Sequence, residues 1–520
     1  MMKRRSFLRS GSILSLPMML NGIKVGVFSQ SVLDEIIDPN SDRIFVLIQQ
    51  NGGNDGLNMI IPIDQYQNLS NARSNILIPE NQIIKLTEET GVHPSMPGFK
   101  ELYDQGVVNI IQNVGYPNQN RSHFRSTDIW NTGSAAQEVL ATGWIGRYLD
   151  SIHSGFPEGY PNETFPHPVA ITLGPTVSET CQGIAANFSL AINDPNSLAM
   201  IPGTVGEELP DNPYGWELTF LRQILSQTNE YAEILSDVAE IGTNVSPLYP
   251  EVGANRLADQ LRTVAQLISG GLQTRIYVVN INGFDTHANQ TSATDPTTGQ
   301  HANLLSQLSE AVHAFMDDLQ RQGLDQRVIA ATRSEFGRKI VSNGSFGTDH
   351  GNAAPLLVFG TCVNPGMTGE NPTIVSQVDP ADGVEMKIDF RNVFGSILID
   401  WLGASEGTVR TIFSNNFTHL PIISACSVTP TSEVTEPIIT VRAYPNPFLD
   451  NLSVQFKTPG GHARISLIDA SGQQVALLAD KTFGAGEYTV EYLVPDLPPG
   501  TYYYQFVNGD FTKTQSLLHF

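Results

Sequence analysis

The sequence predicts an α/β domain, built on a mostly parallel sheet flanked by helices, followed by a small C-terminal β-sandwich. Three observations lead to this prediction. Short apolar runs recur along most of the chain, helical stretches separate them, and only strand-like segments follow a Ser/Thr/Pro/Glu-rich stretch near Cys426. A chain of 520 residues is also longer than one ordinary domain, which spans about 100–200 residues.

Continuous apolar runs are typical of strands buried on both faces of a parallel sheet. The runs lie in RIFVLIQQNGGNDGLN from Arg43, Val107–Gly115, Thr274–His287, Arg327–Arg338 and Ala354–Gly360. Between them, stretches such as NLLSQLSEAVHAFMDDLQRQG place apolar residues at helical spacing. Strands that alternate with helices predict a parallel sheet, and ligands of such sheets bind beyond the carboxyl ends of the strands.

The C-terminal part has a different pattern. Residues 423–437 contain SVTPTSEVTEP, which predicts a linker, and residues 438–520 alternate apolar and polar residues between turn-forming ones. This pattern predicts a β-sandwich. It contains no cluster of His and carboxylate residues, so we expect no chemistry there.

The charge balance restricts the partners. The chain has 29 Lys and Arg against 52 Asp and Glu, a formal net charge of −23. Such a surface repels phosphate backbones, so we expect no nucleic-acid partner. An anionic substrate would need local positive charge, most simply from bound cations.

The N-terminus predicts export. Arg4 and Arg5 precede a moderately apolar stretch, the pattern of a twin-arginine signal within residues 1–30, with a Sec signal as the alternative. Elsewhere no apolar run reaches the roughly 18–20 residues that a membrane span requires. We therefore expect no transmembrane anchor in the mature chain.

Carboxylates and imidazoles recur where the predicted strands end or begin. They are Asp55 in NGGNDGLN, Asp285 and His287 in NGFDTHANQ, Glu335 in RSEFGR, and Asp349 and His350 in GTDHGN. A parallel sheet brings such positions to one edge, and these side chains are ligands for zinc, manganese, calcium or magnesium. Each segment alone also fits a structural role, such as a Gly-rich turn, a helix N-cap or a salt bridge between Glu335 and Arg338. Together they predict a site for one or two divalent metal ions.

The catalytic groups are predicted mainly from another segment, YPNQNRSHFRSTDIWNTG, which opens a helix at Ser122 and His123. A hydroxyl or imidazole at a helix N-terminus lies in positive partial charge, which favours holding an anion. Arg121 and Arg125 add positive charge, and we expect Arg121, Arg125 or Arg338 to offset charge in the transition state. Ser122 alone also fits a helix N-cap.

These motifs, with GWIGRYLD and DFRNVFGSILIDWLG, resemble those of an uncharacterised exported family, DUF fifteen-oh-one, over roughly Arg43 to Leu420. That family is thought to belong to the alkaline phosphatase and sulfatase superfamily, whose members use one or two metal ions and an in-line nucleophile. The resemblance implies an alkaline phosphatase-like fold for residues 43–422. It also implies a phosphate or sulfate ester as substrate, either small or carried on a glycan.

The resemblance further implies roles for single residues. Asp55 and Glu335 would form one metal site, and Asp285, His287 and His350 the other, with Asp349 beside them or shared. TDHGN matches an Asp-His pair by its letters, but its place before APLLVFG matches a lone metal-binding His, and we prefer that mapping. The nucleophile position, nine residues before Thr132, is His123 with Ser122 beside it, whereas superfamily members have Ser, Thr or Cys there.

The segments AYPNPF, ISLIDASGQQV and LPPGTYYYQF resemble the type IX (Por) secretion sorting domain of Bacteroidetes, over about Ile438 to Phe520. The resemblance implies that type IX secretion machinery carries the protein from the periplasm to the cell surface or outside. Such passage normally follows Sec export, so the route across the inner membrane stays open.

The sequence thus predicts an exported, metal-dependent hydrolase of phosphate or sulfate esters. The alternative is a non-catalytic surface protein that keeps the fold to bind a cation or a glycan, which the missing standard nucleophile favours. A purely structural envelope protein is a third possibility, and the gathering of polar residues at strand ends argues against it.

Overall fold

The computed structural model describes residues 18–20, 23–25, 42–193, 212–413, 417–424, 440–458, 460–469, 473–494, 497–509 and 511–519. They belong to two compact units, Met1–Ser427 and Val428–Phe520. The predicted twin-arginine motif and most of the predicted linker lie outside the described residues. Among the described residues, no helix is both long enough and apolar enough to cross a membrane.

The first unit combines strands and helices. Its described strands are β1 (Met18–Leu20), β2 (Ile23–Val25), β3 (Ile44–Asn51), β4 (Ile60–Pro62), β5 (Ile84–Lys85), β6 (Thr90–Val92), β7 (Val108–Gly115), β8 (Ala170–Leu173), β9 (Ser189–Ile192), β10 (Ile276–Asn282), β11 (Val328–Arg333), β12 (Arg338–Ser342), β13 (Thr348–His350), β14 (Ala354–Phe359), β15 (Gly366–Thr368) and β16 (Ile388–Asp389). Its described α-helices are α1 (Gly56–Met59), α2 (Tyr66–Arg73), α3 (Pro97–Asp104), α4 (His123–Thr132), α5 (Trp144–Ile152), α6 (Pro213–Ile241), α7 (Arg256–Ser269), α8 (Gln300–Arg321), α9 (Phe390–Asp400) and α10 (Glu406–Phe413).

A nine-stranded sheet forms the centre of this unit, in the order β15-β7-β14-β11-β3-β10-β8-β9, with β16 beside β7. β3 pairs in parallel with both β10 and β11, and β8 continues the parallel part with β10 and β9. β14 runs antiparallel to its neighbours β11 and β7. The predicted α/β class and the mostly parallel sheet are confirmed, with β14 as the antiparallel exception.

Helices cover both faces of the sheet, which explains why the strands are apolar without alternation. Ile44, Val46 and Ile48 of β3 belong to one core cluster with residues of α3, α7 and α8. Phe45 and Leu47 belong to the core on the other face, with residues of α4, α5 and α9. Burying one such side chain stabilises the fold by about 1.5–3 kcal/mol relative to leaving it exposed. The strand ends are therefore firmly placed.

The second unit contains only strands in its described part. They are β17 (Thr440–Tyr444), β18 (Asn451–Thr458), β19 (Gly461–Asp469), β20 (Gln474–Phe483), β21 (Gly486–Leu493), β22 (Gly500–Asn508) and β23 (Phe511–His519). They form two antiparallel sheets, β17-β18-β21 and β20-β19-β22-β23. Both sheets contribute to one core cluster, with Val454 and Phe456 from the first and Leu467 and Tyr504 from the second. The predicted β-sandwich is confirmed.

Candidate metal centre

Three loops meet at one edge of the sheet, as the parallel strands require. The register of β3 with β10 sets Asn51 against Asn282, and its register with β11 sets Gln49 against Arg333. Each of the three strands therefore ends near the same level. The loops that follow carry Asp55, Asp285 with His287, and Glu335.

Gly52 permits two of these loops to touch. Its φ is +123°, and a Cβ there would overlap the backbone of Phe284 and Asp285. Its amide donates to Glu335 Oε1 at 2.8 Å. The glycine thus brings the loop after β3 against Asp285 and Glu335 at once, which a residue with a side chain could not do.

Three imidazoles surround one oxygen of Asp285. Oδ1 of Asp285 lies 3.1 Å from His287 Nε2, 3.3 Å from His350 Nε2 and 3.4 Å from His123 Nε2. The Nε2 atoms of His287 and His350 are 2.8 Å apart. Ligand atoms of His123, Asp285 and His350 all lie within 4.8 Å of one another. We call His123, Asp285, His287 and His350 the His-Asp centre.

Each imidazole of the centre has an acceptor at its other nitrogen. His123 Nδ1 contacts Glu335 Oε1 at 2.9 Å, and His287 Nδ1 contacts Asp349 Oδ1 at 3.2 Å. His350 Nδ1 lies 2.7 Å from the Arg121 carbonyl oxygen. A carbonyl or a carboxylate can only accept, so each Nδ1 donates to its partner, and the three Nε2 atoms are left facing Asp285 Oδ1. Metal-binding histidines are oriented in this way.

The protonation of the centre follows from its surroundings. Partial burial lowers the pKa of His350, and the charges of Arg338 and His123 act in the same direction, so this imidazole is neutral near pH 7. Burial raises the pKa of Asp285, but the hydrogen bond and charge of Arg338 outweigh it and the net pKa is lowered. The centre thus presents a neutral His350 imidazole and an ionised Asp285 carboxylate.

This arrangement suits a cation. His123 Nε2 is shielded from solvent and has no hydrogen-bond partner, because the 3.4 Å approach to Asp285 lacks hydrogen-bond geometry. Nε2 lone pairs that face each other across 2.8 Å repel unless a proton or a cation lies between them. Imidazole nitrogens with one carboxylate are the donor set that zinc and similar divalent ions take. The residues present therefore fit a divalent metal.

Asp55, which the sequence interpretation assigned to a second metal site with Glu335, lies outside the His-Asp centre. It is fully buried and forms an ion pair with Arg73 of α2, at 2.8 Å. Gln290 Nε2 donates to its Oδ2 at 2.5 Å. Desolvation raises the pKa of Asp55, but Arg73 and His301 lower it overall. Its oxygens are thus occupied by protein donors, and Glu335 has different partners, so the structure does not form the predicted pair of Asp55 and Glu335.

The two arginines predicted to act in catalysis have structural partners instead. The guanidinium of Arg125 contacts Asp128 and the carbonyls of Ala135, Ala136 and Glu138. Arg338 is 1 % exposed, and its guanidinium binds the carbonyls of Gly52, Gly53, Phe284 and Thr348 besides the Asp285 carboxylate. Both guanidinium groups are thus engaged by protein acceptors, and their catalytic role stays a prediction. The alternative pairing of Glu335 with Arg338 is not formed either.

The helix that was predicted to carry the nucleophile supplies a ligand-like imidazole. Helix α4 begins at His123 and ends before Gly133, whose φ of 68° suits a left-handed helix end. Ser122 is exposed, and its side chain makes no capping hydrogen bond. His123 lies in the His-Asp centre with both nitrogens directed at carboxylates. His123 is thus engaged in the centre, and no contact directs the Ser122 hydroxyl toward it.

Glu335 orients His123 and is itself fixed on all sides. Its carbonyl accepts from Gln119 Nε2 at 3.3 Å, from Trp130 Nε1 at 2.9 Å and from the Ser126 hydroxyl. Its Oε1 is shared by His123 and the Gly52 amide. The sequence interpretation missed this orienting role, and it missed the Arg121 carbonyl, since a backbone contact leaves no mark on residue type. Phe336, which packs on the rings of His123 and His350, was missed as well.

Two stretches of the chain match described families. Residues 250–398 match the family described as "Protein of unknown function (DUF1501)". This stretch contains Asp285, His287, Glu335 and His350, whereas His123 precedes it. It is shorter than the Arg43 to Leu420 span of the resemblance. Residues 442–518 match a "Secretion system C-terminal sorting domain". No curated protein matches the chain.

Several solved structures are similar in arrangement. A member of the alkaline phosphatase superfamily from Vibrio parahaemolyticus is 12% identical, covers 84% of this chain and 82% of its own, and has a TM-score of 0.33. The phosphonate monoester hydrolase of Silicibacter pomeroyi is 10% identical, with 92% and 89% covered and a TM-score of 0.31. A sulfatase of Pseudoalteromonas sp. is 9% identical, with 86% and 83% covered and a TM-score of 0.28. Similarity at this level carries no conclusion about function, which must come from the site.

Proposed function

We propose that this protein is an exported, metal-dependent hydrolase of phosphate or sulfate esters. One observation supports it above all: three Nε2 atoms and Asp285 Oδ1 converge, while each Nδ1 is held by an acceptor. His123, Asp285, His287 and His350 are the proposed ligands. The ester class comes from the resemblance of the motifs, and export from the match to a sorting domain.

The chain's own residues prepare the centre for an anion. A divalent ion held by these residues would supply Lewis acidity, which would neutralise charge on ester oxygens and lower the pKa of a water molecule so that hydroxide forms near neutral pH. Asp285 is the one carboxylate among the four proposed ligands, so a divalent ion leaves the centre with net positive charge. This offsets the repulsion that a chain of net charge −23 exerts on an anionic ester. Arg338 keeps Asp285 ionised and in place.

The proposed nucleophile is water rather than a side chain. Ser122 is exposed and has no contact that directs it to the centre. Cys181 is fully buried, and burial raises its pKa to about 12, so it stays a neutral thiol. Asp349 holds His287 through Oδ1, and Lys339 approaches its Oδ2 at 3.5 Å. Asp349 therefore serves to orient a ligand in this proposal.

A groove beside the centre offers room for the group that carries the ester. It has a volume of about 600 Å³, and Asn118, Gln119, Arg121, Asn352 and Glu385 line it with Tyr116, Pro117 and Met386. The Arg121 carbonyl that holds His350 connects it to the His-Asp centre. Amides and charged groups recognise hydroxyls, which suits a sulfated or phosphorylated glycan.

The test combines metal content with turnover. We expect purified protein to retain about one divalent ion per chain, and His287→Ala and Asp285→Asn to lose most of it. His419→Ala is the matched control, because this histidine pairs with Asp400 outside the centre. Turnover should be sought on aryl and glycosyl esters of phosphate and sulfate. Metal-free wild-type protein would refute the site.

A second candidate function is binding of a cation or glycan without catalysis. The lack of a hydroxyl nucleophile among the described residues of the centre favours it. It predicts bound metal without turnover on any ester, and binding of glycans that Asp285→Asn abolishes. Turnover that falls in parallel with metal content would exclude it.

A further inference from the structure

A buried polar network lies against the His-Asp centre. Arg73 Nη1 donates to both oxygens of Asp55, at 3.0 and 2.8 Å, and Gln290 Nε2 donates to Asp55 Oδ2. Gln290 Oε1 accepts from the hydroxyls of Thr348, at 2.6 Å, and Thr286, at 3.2 Å. All five side chains are fully buried. Every polar atom of the Gln290 amide is thus used inside the protein.

The two threonines stand inside the segments that carry the proposed ligands. Thr286 lies between Asp285 and His287, and Thr348 is two residues before His350. The Thr348 amide also donates to the Thr286 carbonyl at 3.2 Å. Gln290 therefore joins the two segments through one carbonyl oxygen and attaches both, through Asp55, to Arg73. Among the described residues, Gln290 Oε1 is the one acceptor that receives hydrogen bonds from both hydroxyls.

We propose that Gln290 is a positioning residue for the metal centre. Its amide sets the spacing between the segment of Asp285 and His287 and the segment of His350. The Asp55–Arg73 pair is the anchor of this device. A side chain that aims a ligand contributes to metal affinity although it never contacts the metal, and its loss typically lowers affinity about 10–100-fold. The inference rests on the proposed function, since it concerns the same centre.

A role in positioning the ligands explains why Asp55 and Gln290 are polar although they are fully buried. A buried carboxylate is tolerated when it is paired and hydrogen-bonded, and here Arg73 and Gln290 supply both. Arg73 also donates to the carbonyls of Lys339 and Ile340 in β12, the strand that pairs with β13. β13 ends at His350. The network therefore fixes the strand of His350 from two sides.

Gln290→Met tests the proposal, because it keeps the length of the side chain and removes its hydrogen bonds. We expect the dissociation constant for Zn²⁺, measured by competition with a chromogenic chelator, to rise about 10–100-fold. The d–d absorption spectrum of the Co²⁺-loaded protein should change too. Gln112→Met is the matched control, since Gln112 is 2 % exposed and its amide donates to Asn371, outside this network.

The outcomes separate the two proposals. If wild-type protein binds no metal, the proposed function fails. If wild-type protein binds metal and Gln290→Met binds it equally well, with the same Co²⁺ spectrum, only the positioning role is refuted. Equal losses in both glutamine variants would also refute it, because general destabilisation would then be the cause.

Thr348→Val provides a second variant in case Gln290→Met fails to fold. Valine and threonine have similar volumes, so this substitution removes one hydroxyl and leaves Gln290 bound to Asp55. We expect a smaller rise of the Zn²⁺ dissociation constant, about 3–10-fold, which corresponds to one hydrogen bond of about 1 kcal/mol. An unchanged dissociation constant in Thr348→Val would overturn the proposal.

Discussion

Glu335 offers the sharpest separation between a metal ligand and a residue that orients one. The sequence suggested that its carboxylate binds metal directly. In the structure its Oε1 accepts from the Gly52 amide at 2.8 Å and contacts His123 Nδ1 at 2.9 Å. The carboxylate thus holds the far nitrogen of an imidazole whose near nitrogen belongs to the His-Asp centre. Two substitutions distinguish these roles.

Glu335→Gln keeps an oxygen that can accept from both donors and removes only the charge. A hydrogen bond to a charged group contributes about 1.5–3 kcal/mol and a neutral one about 0.5–1.5 kcal/mol. The difference, about 1–1.5 kcal/mol, corresponds to a loss of metal affinity of roughly 5–10-fold. Glu335→Ala removes the acceptor altogether and frees the His123 ring, so we expect a loss of about 100-fold.

The assay is a chelator competition for Zn²⁺ at fixed pH and ionic strength. Glu101→Gln is the matched control, because Glu101 faces His313 at 3.4 Å in a pair outside the centre, and it should leave metal affinity unchanged. A loss of metal affinity that is smaller in Glu335→Gln than in Glu335→Ala supports the orienting role. If Glu335→Gln already loses metal as completely as Asp285→Asn, Glu335 is a ligand and our reasoning is wrong.

Two predictions concern the stability of the fold. Asp55→Asn should lower the free energy of unfolding in urea by about 3–5 kcal/mol, since it leaves Arg73 buried without its counter-charge; a loss below about 1 kcal/mol would contradict the buried ion pair. Burial lowers the pKa of His93 to about 3 and that of His301 to about 4, from 6.5. The unfolded chain therefore binds protons first, and stability should fall as the pH drops from about 6.5 to about 4, by about 1.4 kcal/mol per unit of pKa difference for each histidine. Thermal melts across this range check the second prediction, and a midpoint that rises on acidification would refute it.

The sequence was informative where a pattern depends on local chemistry. The run from Ile44 to Asn51 is apolar on both faces because helices cover both, and the structure confirms it as a central parallel strand. Asp285, His287 and His350 were placed together because parallel strands end at one edge, and the structure brings them within contact. Their role as metal ligands stays a prediction.

The sequence was misleading where a residue's partner lies far along the chain. Asp55 has the same neighbours in sequence whether it binds a metal or Arg73, and only the packing of α2 decides that it forms the ion pair. Arg125 was read as free positive charge, yet besides the nearby Asp128 it binds carbonyls of a loop ten or more residues away. Residue type alone does not record such contacts.

The role of His123 is open for a related reason. Its place at the start of α4 suggested a nucleophile, whereas in the structure its Nδ1 contacts Glu335 and its Nε2 lies near Asp285. An imidazole can attack, donate a proton or bind a metal, and the sequence does not reveal which nitrogen points where.

The central claim is that His123, Asp285, His287 and His350 hold one divalent cation. The most direct test is the metal content of His123→Ala beside wild-type protein, measured by elemental analysis after dialysis. We predict about one ion per chain in the wild type and a loss of most of it in the variant. Full metal content in His123→Ala with turnover abolished would contradict the claim, because His123 would then act as the nucleophile and not as a ligand.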